Sequence, residues 1–284
     1  MSSTDAQKPV IKAAVDVAGG IRPAQRLLNG LAPNYHDVRN VARANAVHMA
    51  ERRLFIPDMH VPDHDPSALA VVRAFKENWK PHKVTVMGDV INADAVSMHA
   101  KTQTRYDQSE EYAIAGEILD WLEPDEILEG NHEERFRRPG CVPWELWAML
   151  NPQKWFEIEK RGVRWIPYSN RPEDLMHVGK LTVIHGFRTN EYAAKAEALS
   201  FGCVIHAHTH RVQNFQPKHA YEKHTGFNIG CLCKLDLEYQ TTGTPRGWAQ
   251  AFAFGYFFRD GNFSLYTARL IGDEFIIEGE YYHR

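Results

Sequence analysis

Residues 55–65 read FIPDMHVPDHD. A short apolar run leads straight into Asp58 and His60, and then into Asp63, His64 and Asp65, where an ordinary strand end requires none of them. The same texture recurs further along the chain. RRLFIPDMH (52–60), KVTVMGDVIN (83–92), EILEGNHEE (126–134), LTVIHGF (181–187) and CVIHAHTH (203–210) are each a β-type apolar run ending in residues able to bind metal. Between them, DPSALAVVRAFKENW (65–79), SEEYAIAGEILDWL (109–122) and NEYAAKAEALSFG (190–202) carry apolar residues at helical spacing, and Asp65 before Pro66 offers a helix cap. Alternating strands and helices predict an α/β core with its site at the carboxyl ends of strands. Beyond residue 220, GWAQAFAFGYFFRDGNFSLYTARLIGDEFIIEGEYY has turn signals at Asp260-Gly261 and Gly272-Asp273, which predict a terminal antiparallel meander.

Composition bounds what this pattern can be. The chain has 284 residues, 44% hydrophobic and 24% charged, enough for one large folded domain with or without a small appendage. A net charge of −3 gives no global basic field, so contact with nucleic acid would rest on local arginines or on metal. No run of about 18 apolar residues occurs, and MSSTDAQKPV is not a basic segment followed by an apolar one. A cytoplasmic protein without membrane contact is expected. Cys141, Cys203, Cys231 and Cys233 are too few and too scattered for a disulfide framework and are read as reduced. CLC at 231–233 lacks the spacing of a zinc knuckle and reads as a pair of buried strand cysteines.

Residues 9–50 have helical period. VIKAAVDVAG is interrupted by Gly19 and Gly20, RPAQRLLNG restarts with Pro23 in its first turn, and NYHDVRNVARANAVHMAERR continues. This divides the chain into an N-terminal helical segment, 1–50, and a domain at 51–284. The outline fits a helix-turn-helix that reads DNA, and helical hairpins serving as caps or homo-oligomer contacts share that pattern.

The strand-end residues are Asp58, His60, Asp89, Asn131, His132, His185, His208 and His210. At two-residue spacing, Asp58 and His60, and likewise His208 and His210, are expected on one face of an extended strand end. A lone GD or strand-end histidine is ordinarily a turn residue, but coincidence does not account for five such motifs behind five strands. One octahedral ion would be over-supplied by this set. Two ions bridged by one carboxylate and a hydroxide would use it.

With DMH, GDVIN, GNHE, IHG and HAHTH in this order over about residues 52–212, the chain resembles the calcineurin-like metallophosphoesterase superfamily. The resemblance implies an α/β fold, a two-sheet β-sandwich flanked by helices with the site at one rim. It also implies Asp58, His60 and His210 on a first ion, Asn131, His185 and His208 on a second, Asp89 bridging them, and His132 as the catalytic histidine rather than a ligand. Imidazole-rich donors favour divalent transition metals, manganese first with zinc, iron or nickel behind it, over magnesium and calcium. Paired cations would make hydroxide available near neutral pH for in-line attack on phosphorus, with His132 serving the leaving oxygen.

Two positions depart from the family pattern. Ala207 stands where glycine is usual, which a negative φ tolerates. Asn92 stands where the phosphatase branch often has an aspartate that orients the catalytic histidine; an amide can hold the ring by a hydrogen bond but does not stabilise imidazolium by charge.

The protein-phosphatase branch carries GDxVDRG, an arginine before GNHE and a single late histidine. GDVINAD, Glu129 and the paired His208 and His210 do not fit that set. Paired histidines are more typical of phosphodiesterases and nucleases, and EGNHEERFRRPG, HAHTHRVQNF and GFNIGCLC also resemble family members encoded by bacteriophages and prophages. The expected activity is phosphodiester hydrolysis on DNA, another nucleic acid or a nucleotide. Its alternatives are a phosphomonoesterase acting on a small molecule or protein, and a non-catalytic metal-binding scaffold. Arg211, next to His210, is a candidate phosphate contact. Arg135, Arg137 and Arg138 are either substrate contacts or a solvated helix face paired to Glu133 and Glu134, and His64 is either a site contact or an ordinary loop histidine.

Overall fold

Side chains of β1 (Glu51–Ile56) alternate between two apolar cores. Leu54 and Ile56 pack with Val72, Phe75 and Leu119, whereas Phe55 packs with Leu181, Val183 and Ile205. A strand apolar on both faces is covered on both, and the fold follows from that. The computed structural model describes residues 50–97, 107–138, 140–218, 224–236 and 247–284, so the helical segment expected at 1–50 lies outside the described residues apart from Ala50. Arg52–Phe257 and Gly261–Arg284 form one unit, which contains every candidate site residue.

β1 pairs in parallel with β2 (Lys83–Val86), which continues to β3 (Glu126–Leu128) and β4 (Arg164–Ile166). A second sheet has the order β5-β6-β7-β9-β8, from β5 (Met176–Val178), β6 (Leu181–Val183), β7 (Val204–His206), β8 (Val212–Phe215) and β9 (Gly226–Ile229). The two sheets share the core around Phe55, Met87, Leu128, Val183 and Ile205. β10 (Ala251–Phe257) and β11 (Phe263–Arg269) extend the first sheet beyond β1, while β12 (Glu274–Ile277) and β13 (Glu280–His283) form a separate hairpin. The expected terminal meander is therefore two hairpins: β10 and β11 pair as the edge of the first sheet, and β12 pairs with β13 rather than with β11.

Helices cover the outer faces. α1 (Pro66–Trp79) starts as its sequence predicts: the Asp65 carboxylate accepts from the amides of Ser67 and Ala68 at 2.9 and 3.0 Å, with Pro66 in the first turn. It buries Leu69, Val72, Phe75 and Trp79 on one stripe. Phe75 is fully buried against Trp79, Phe252 and Phe254, a burial that contributes about 2–3 kcal/mol. α2 (Gln108–Leu122) joins the same core through Tyr112, Ala115 and Leu119. The one-turn α3 (Asn131–Glu134), α4 (Trp144–Leu150), α5 (Pro152–Trp155) and α6 (Ile158–Arg161) fill the connection from β3 to β4. α7 (Ala193–Phe201) packs Ala198 against Ile184 and Val204 of the second sheet. No helix among the described residues is long and apolar enough to cross a membrane.

Candidate metal centre

Parallel register brings the site together. Ile56 pairs with Val86 and Val86 with Ile127, so the segments after β1, β2 and β3 leave the first sheet at one edge. Val183 pairs with Ile205, which does the same for the segments after β6 and β7. Those segments carry Asp58 and His60, Asp89, Asn131 and His132, His185, and His208 and His210. Their donor atoms form overlapping clusters of Asp58, His60 and His210, of His60, Asp89 and His132, and of Asp89, His185 and His208, each within 4.8 Å. The Asn131 Oδ1 lies 3.0 Å from His185 Nε2, which places it beside the third cluster.

The backbone is shaped for this convergence. His60, Asp89, His208 and His210 all have positive φ, between 49° and 67°. The left-handed region costs a non-glycine residue about 1–3 kcal/mol and collects at functional sites. The expected strand alternation at DMH and HTH is therefore not what pairs these residues: β1 ends at Ile56 and β7 at His206, and left-handed turns aim the side chains. The glycines before Asp89 and Asn131 serve close approach, since a Cβ on Gly88 would lie 2.8 Å from the Gly130 backbone. Ala207 has no positive φ and is fully buried, so its methyl group is accommodated.

Hydrogen bonds set the imidazole tautomers. Carbonyl oxygens only accept, so His185 Nδ1–H donates to Met87 O at 2.8 Å and His132 Nδ1–H to Asn92 O at 2.7 Å. The Asn92 amide donates to Asp63 at 2.7 Å, which turns its oxygen to accept from His60 Nδ1–H at 3.1 Å. All three rings therefore face the cluster with Nε2. His60 Nε2 lies 2.9 Å from His210 Nε2, and Asp89 Oδ2 lies 3.3 Å from His185 Nε2, 3.6 Å from His60 Nε2 and 3.9 Å from His132 Nε2. Among the described residues, neither oxygen of the fully buried Asp58 makes a well-aligned hydrogen bond, although His210 Nε2 lies 3.2 Å from one, and the buried His208 Nδ1 has no partner either. Buried carboxylates and ring nitrogens that lack partners beside such clusters are what bound cations satisfy. The clusters fit a dinuclear metal site.

Electrostatics divide the candidate ligands. Burial pushes His60 and His208 down to about 4, so both are neutral imidazoles ready to donate lone pairs. Burial lowers His185 too, but the Asp89 and Asp58 carboxylates outweigh it and push the group up to about 10, so this ring holds a second proton that a bound cation would displace. Burial alone would raise Asp89; the imidazoles of His185 and His132 instead hold it well below the usual carboxylate range.

Other candidates are placed differently. Asn92 does not hold His132 through its amide, as expected from the sequence. Its side chain is committed to Asp63 and His60, and the backbone carbonyl holds His132 together with Arg135 at 2.8 Å. Arg137 forks onto Glu129 and also reaches Tyr168 O, while Arg138 pairs with Glu134. Arg211 Nη1 lies 3.5 Å from Asn190 O. His64 is half-buried and opposite Cys233 in a β-bridge.

Glu133 is not on a solvated face. It is fully buried and accepts from the amides of Asp89, Val90, Ile91 and Gly130 at 3.0, 2.8, 3.1 and 2.9 Å. Its position three residues after Gly130, the N3 glutamate of a capping box, was the signal for it. Cys233 was also missed as a site neighbour: its Sγ lies 3.8 Å from His210 Nδ1.

The profile of the calcineurin-like phosphoesterase family matches residues 52–212. The chain belongs to this family. Metal-dependent phosphoester hydrolysis is the activity membership implies, and the two-sheet fold is the metallophosphoesterase fold. Among solved structures it is similar to a metallophosphoesterase from Sphaerobacter thermophilus, with 16% identity, 78% of this chain and 88% of that one covered, and a TM-score of 0.41. It is also similar to the phosphoesterase YfcE from E. coli, with 14% identity, 76% and 98% covered, and a TM-score of 0.35. Vacuolar protein sorting 29 from Cryptosporidium parvum matches at 15% identity, 78% and 98% coverage and a TM-score of 0.39. No curated protein sequence matches the chain.

Proposed function

We propose that the protein hydrolyses phosphodiesters in nucleic acids or nucleotides, using two divalent transition-metal ions, manganese by preference. Asp58, His60 and His210 would hold one ion, Asn131, His185 and His208 the other, and Asp89 both. The observation that carries this reading is the inward set of Nε2 atoms on His60, His132 and His185, fixed from behind by Asn92, Asn92 O and Met87 O. When bound, the ions would supply a nucleophile from water near neutral pH and neutralise phosphate charge.

His132 keeps its Nδ1 proton on Asn92 O and presents Nε2 toward the cluster. With Nε2 protonated as well, the ring would pass that second proton, or a hydrogen bond, to the leaving oxygen, a role worth about 10²–10⁴-fold. Arg211 would contact a flanking phosphate, and residues 1–50, which carry no candidate ligand, would engage substrate or join copies. Glu129 and the HTH pair support a diester over a protein phosphomonoester: Glu129 stands where protein phosphatases carry an arginine before GNHE, and its carboxylate is engaged by Arg137.

Turnover of bis-p-nitrophenyl phosphate and of p-nitrophenyl phosphate by manganese-loaded protein tests the reading. The expected kcat/KM for the diester is higher by about tenfold or more. The opposite preference would make the protein a phosphomonoesterase, and turnover of neither would favour a binding scaffold.

A further inference from the structure

His210 has a second face that the dimetal reading does not use. Its Nε2 points to Asp58 and His60, while its Nδ1 lies 3.8 Å from Cys233 Sγ, and donor atoms of Cys231, Cys233 and His210 form a buried cluster within 4.8 Å. Both cysteines are fully buried free thiols.

Local structure holds them there. Gly230, at φ 79°, turns the chain out of β9, and Cys231 and Cys233 then bridge Gln250 and His64 in extended conformation. Residues two apart in an extended segment share a side. Leu232 between them enters the apolar core on the other. The segment is pinned by Cys231 N to Ala249 O at 3.1 Å, Leu232 N to Asp58 O at 2.8 Å, and Gln250 Nε2 to Cys233 O at 2.9 Å. The thiols are thus preorganised beside the strand end that carries Asp58.

We propose that Cys231 Sγ, Cys233 Sγ and His210 Nδ1 form a separate site for a thiophilic d10 cation such as Zn²⁺, Cd²⁺ or Cu⁺. Two thiolates and an imidazole make a soft donor set, opposite in preference to the oxygen-containing set across the ring. The two sites share one imidazole. A neutral ring has a single lone pair, so a soft ion at Nδ1 leaves the proton on Nε2, where Asp58 Oδ2 at 3.2 Å accepts it. While the ring stays neutral, a soft ion therefore withdraws His210 from the first hard-metal position, and the two ions compete for it.

The test is a Cd²⁺ titration of the metal-free full chain, read by thiolate-to-cadmium charge-transfer absorption. That band reports cysteine ligation whether or not the protein hydrolyses phosphodiesters. One equivalent should develop the band, and Cys231→Ser or Cys233→Ser should weaken binding by about tenfold or more, while Cys141→Ser with Cys203→Ser leaves it unchanged. On manganese-loaded protein the same band should appear with release of one manganese per cadmium. The cadmium-113 NMR shift of the wild-type complex reads the ligand set without any variant and should fall in the range of sulfur-ligated cadmium. A band that survives Cys231→Ser with Cys233→Ser, a cadmium shift typical of nitrogen and oxygen ligands, or cadmium ligation without manganese release would overturn the proposal.

Discussion

The backbone nitrogen of Asp89 lies 3.0 Å from Oε2 of Glu133, so the residue at the middle of the cluster has its backbone held by a side chain of α3. The same Glu133 carboxylate takes the amides of Val90, Ile91 and Gly130, which ties the segment after β2 to the segment after β3. Glu133→Ala would leave four buried donors without an acceptor, each costing about 1–3 kcal/mol before any water replaces the oxygen. A loss of at least about 3 kcal/mol in urea unfolding is expected, with a smaller loss for Glu133→Gln, which keeps one acceptor. An alanine variant as stable as wild type would show that these amides have other partners.

Asn92 supports His60 with its side chain and His132 with its backbone carbonyl, which separates the two roles experimentally. Asn92→Ala removes the acceptor behind His60 Nδ1 and keeps the carbonyl behind His132. The expected result is about 10–100-fold weaker binding of one of two metal ions, with leaving-group dependence unchanged. If metal affinity holds and only poor leaving groups suffer, the amide acts on His132 after all.

His132 itself is expected to matter in the chemical step. His132→Ala should lower kcat by about 10²-fold or more on diesters with poor leaving groups, and less on p-nitrophenyl esters, whose leaving group departs without a proton. Metal content, measured by elemental analysis, should stay at two ions per chain. Loss of metal in this variant would make His132 a ligand and remove it from the acid role.

The parallel units of the fold were legible because each apolar run ends in an unusual residue, and buried parallel strands read as continuous apolar runs. The division into two sheets was not legible from periodicity: β2 and β6 have the same texture, KVTV and LTV, and only tertiary packing assigns them to different sheets. The candidate ligands stood out by residue type, but how they converge did not. Left-handed backbone at His60, Asp89, His208 and His210 leaves no local mark when the residue is not glycine. Asn92 departs from its expected role for a related reason, since sequence shows a side chain and hides which carbonyl a neighbour reaches.

Residues 1–50 contain none of the candidate ligands. Their deletion should leave hydrolysis of a small chromogenic diester within a few-fold of the full chain. If the segment reads DNA, the truncated protein should bind duplex DNA more weakly and with a shallower salt dependence, because phosphate contacts release counterions. If it joins copies, DNA binding should hold and the mass in solution should fall. A folded, metal-loaded truncation that loses small-diester hydrolysis would contradict both and assign the segment to the active site.

Asp65 provides a prediction about stability away from the chemistry. Burial acts to raise its pKa, but hydrogen bonds from the Ser67 hydroxyl, the Ala68 amide and Gln250, with the Arg284 guanidinium nearby, bring it down to about 2. A depressed folded pKa means that the charged form stabilises the fold above the unfolded value of about 3.9, and that this contribution fades as pH falls through the folded value. Asp65→Ala removes the cap of α1 and should cost about 0.5–2 kcal/mol near neutral pH. In urea unfolding at a series of pH values, the gap between wild type and Asp65→Ala should be constant above about pH 5 and narrow from about pH 4 downward. Asp65→Asn, which keeps a cap oxygen without the charge, should lose less than alanine and should not contribute to the acid limb. A gap that stays constant down to the lowest pH at which the protein folds would mean that the cap works by geometry alone and that the charge of Asp65 contributes nothing.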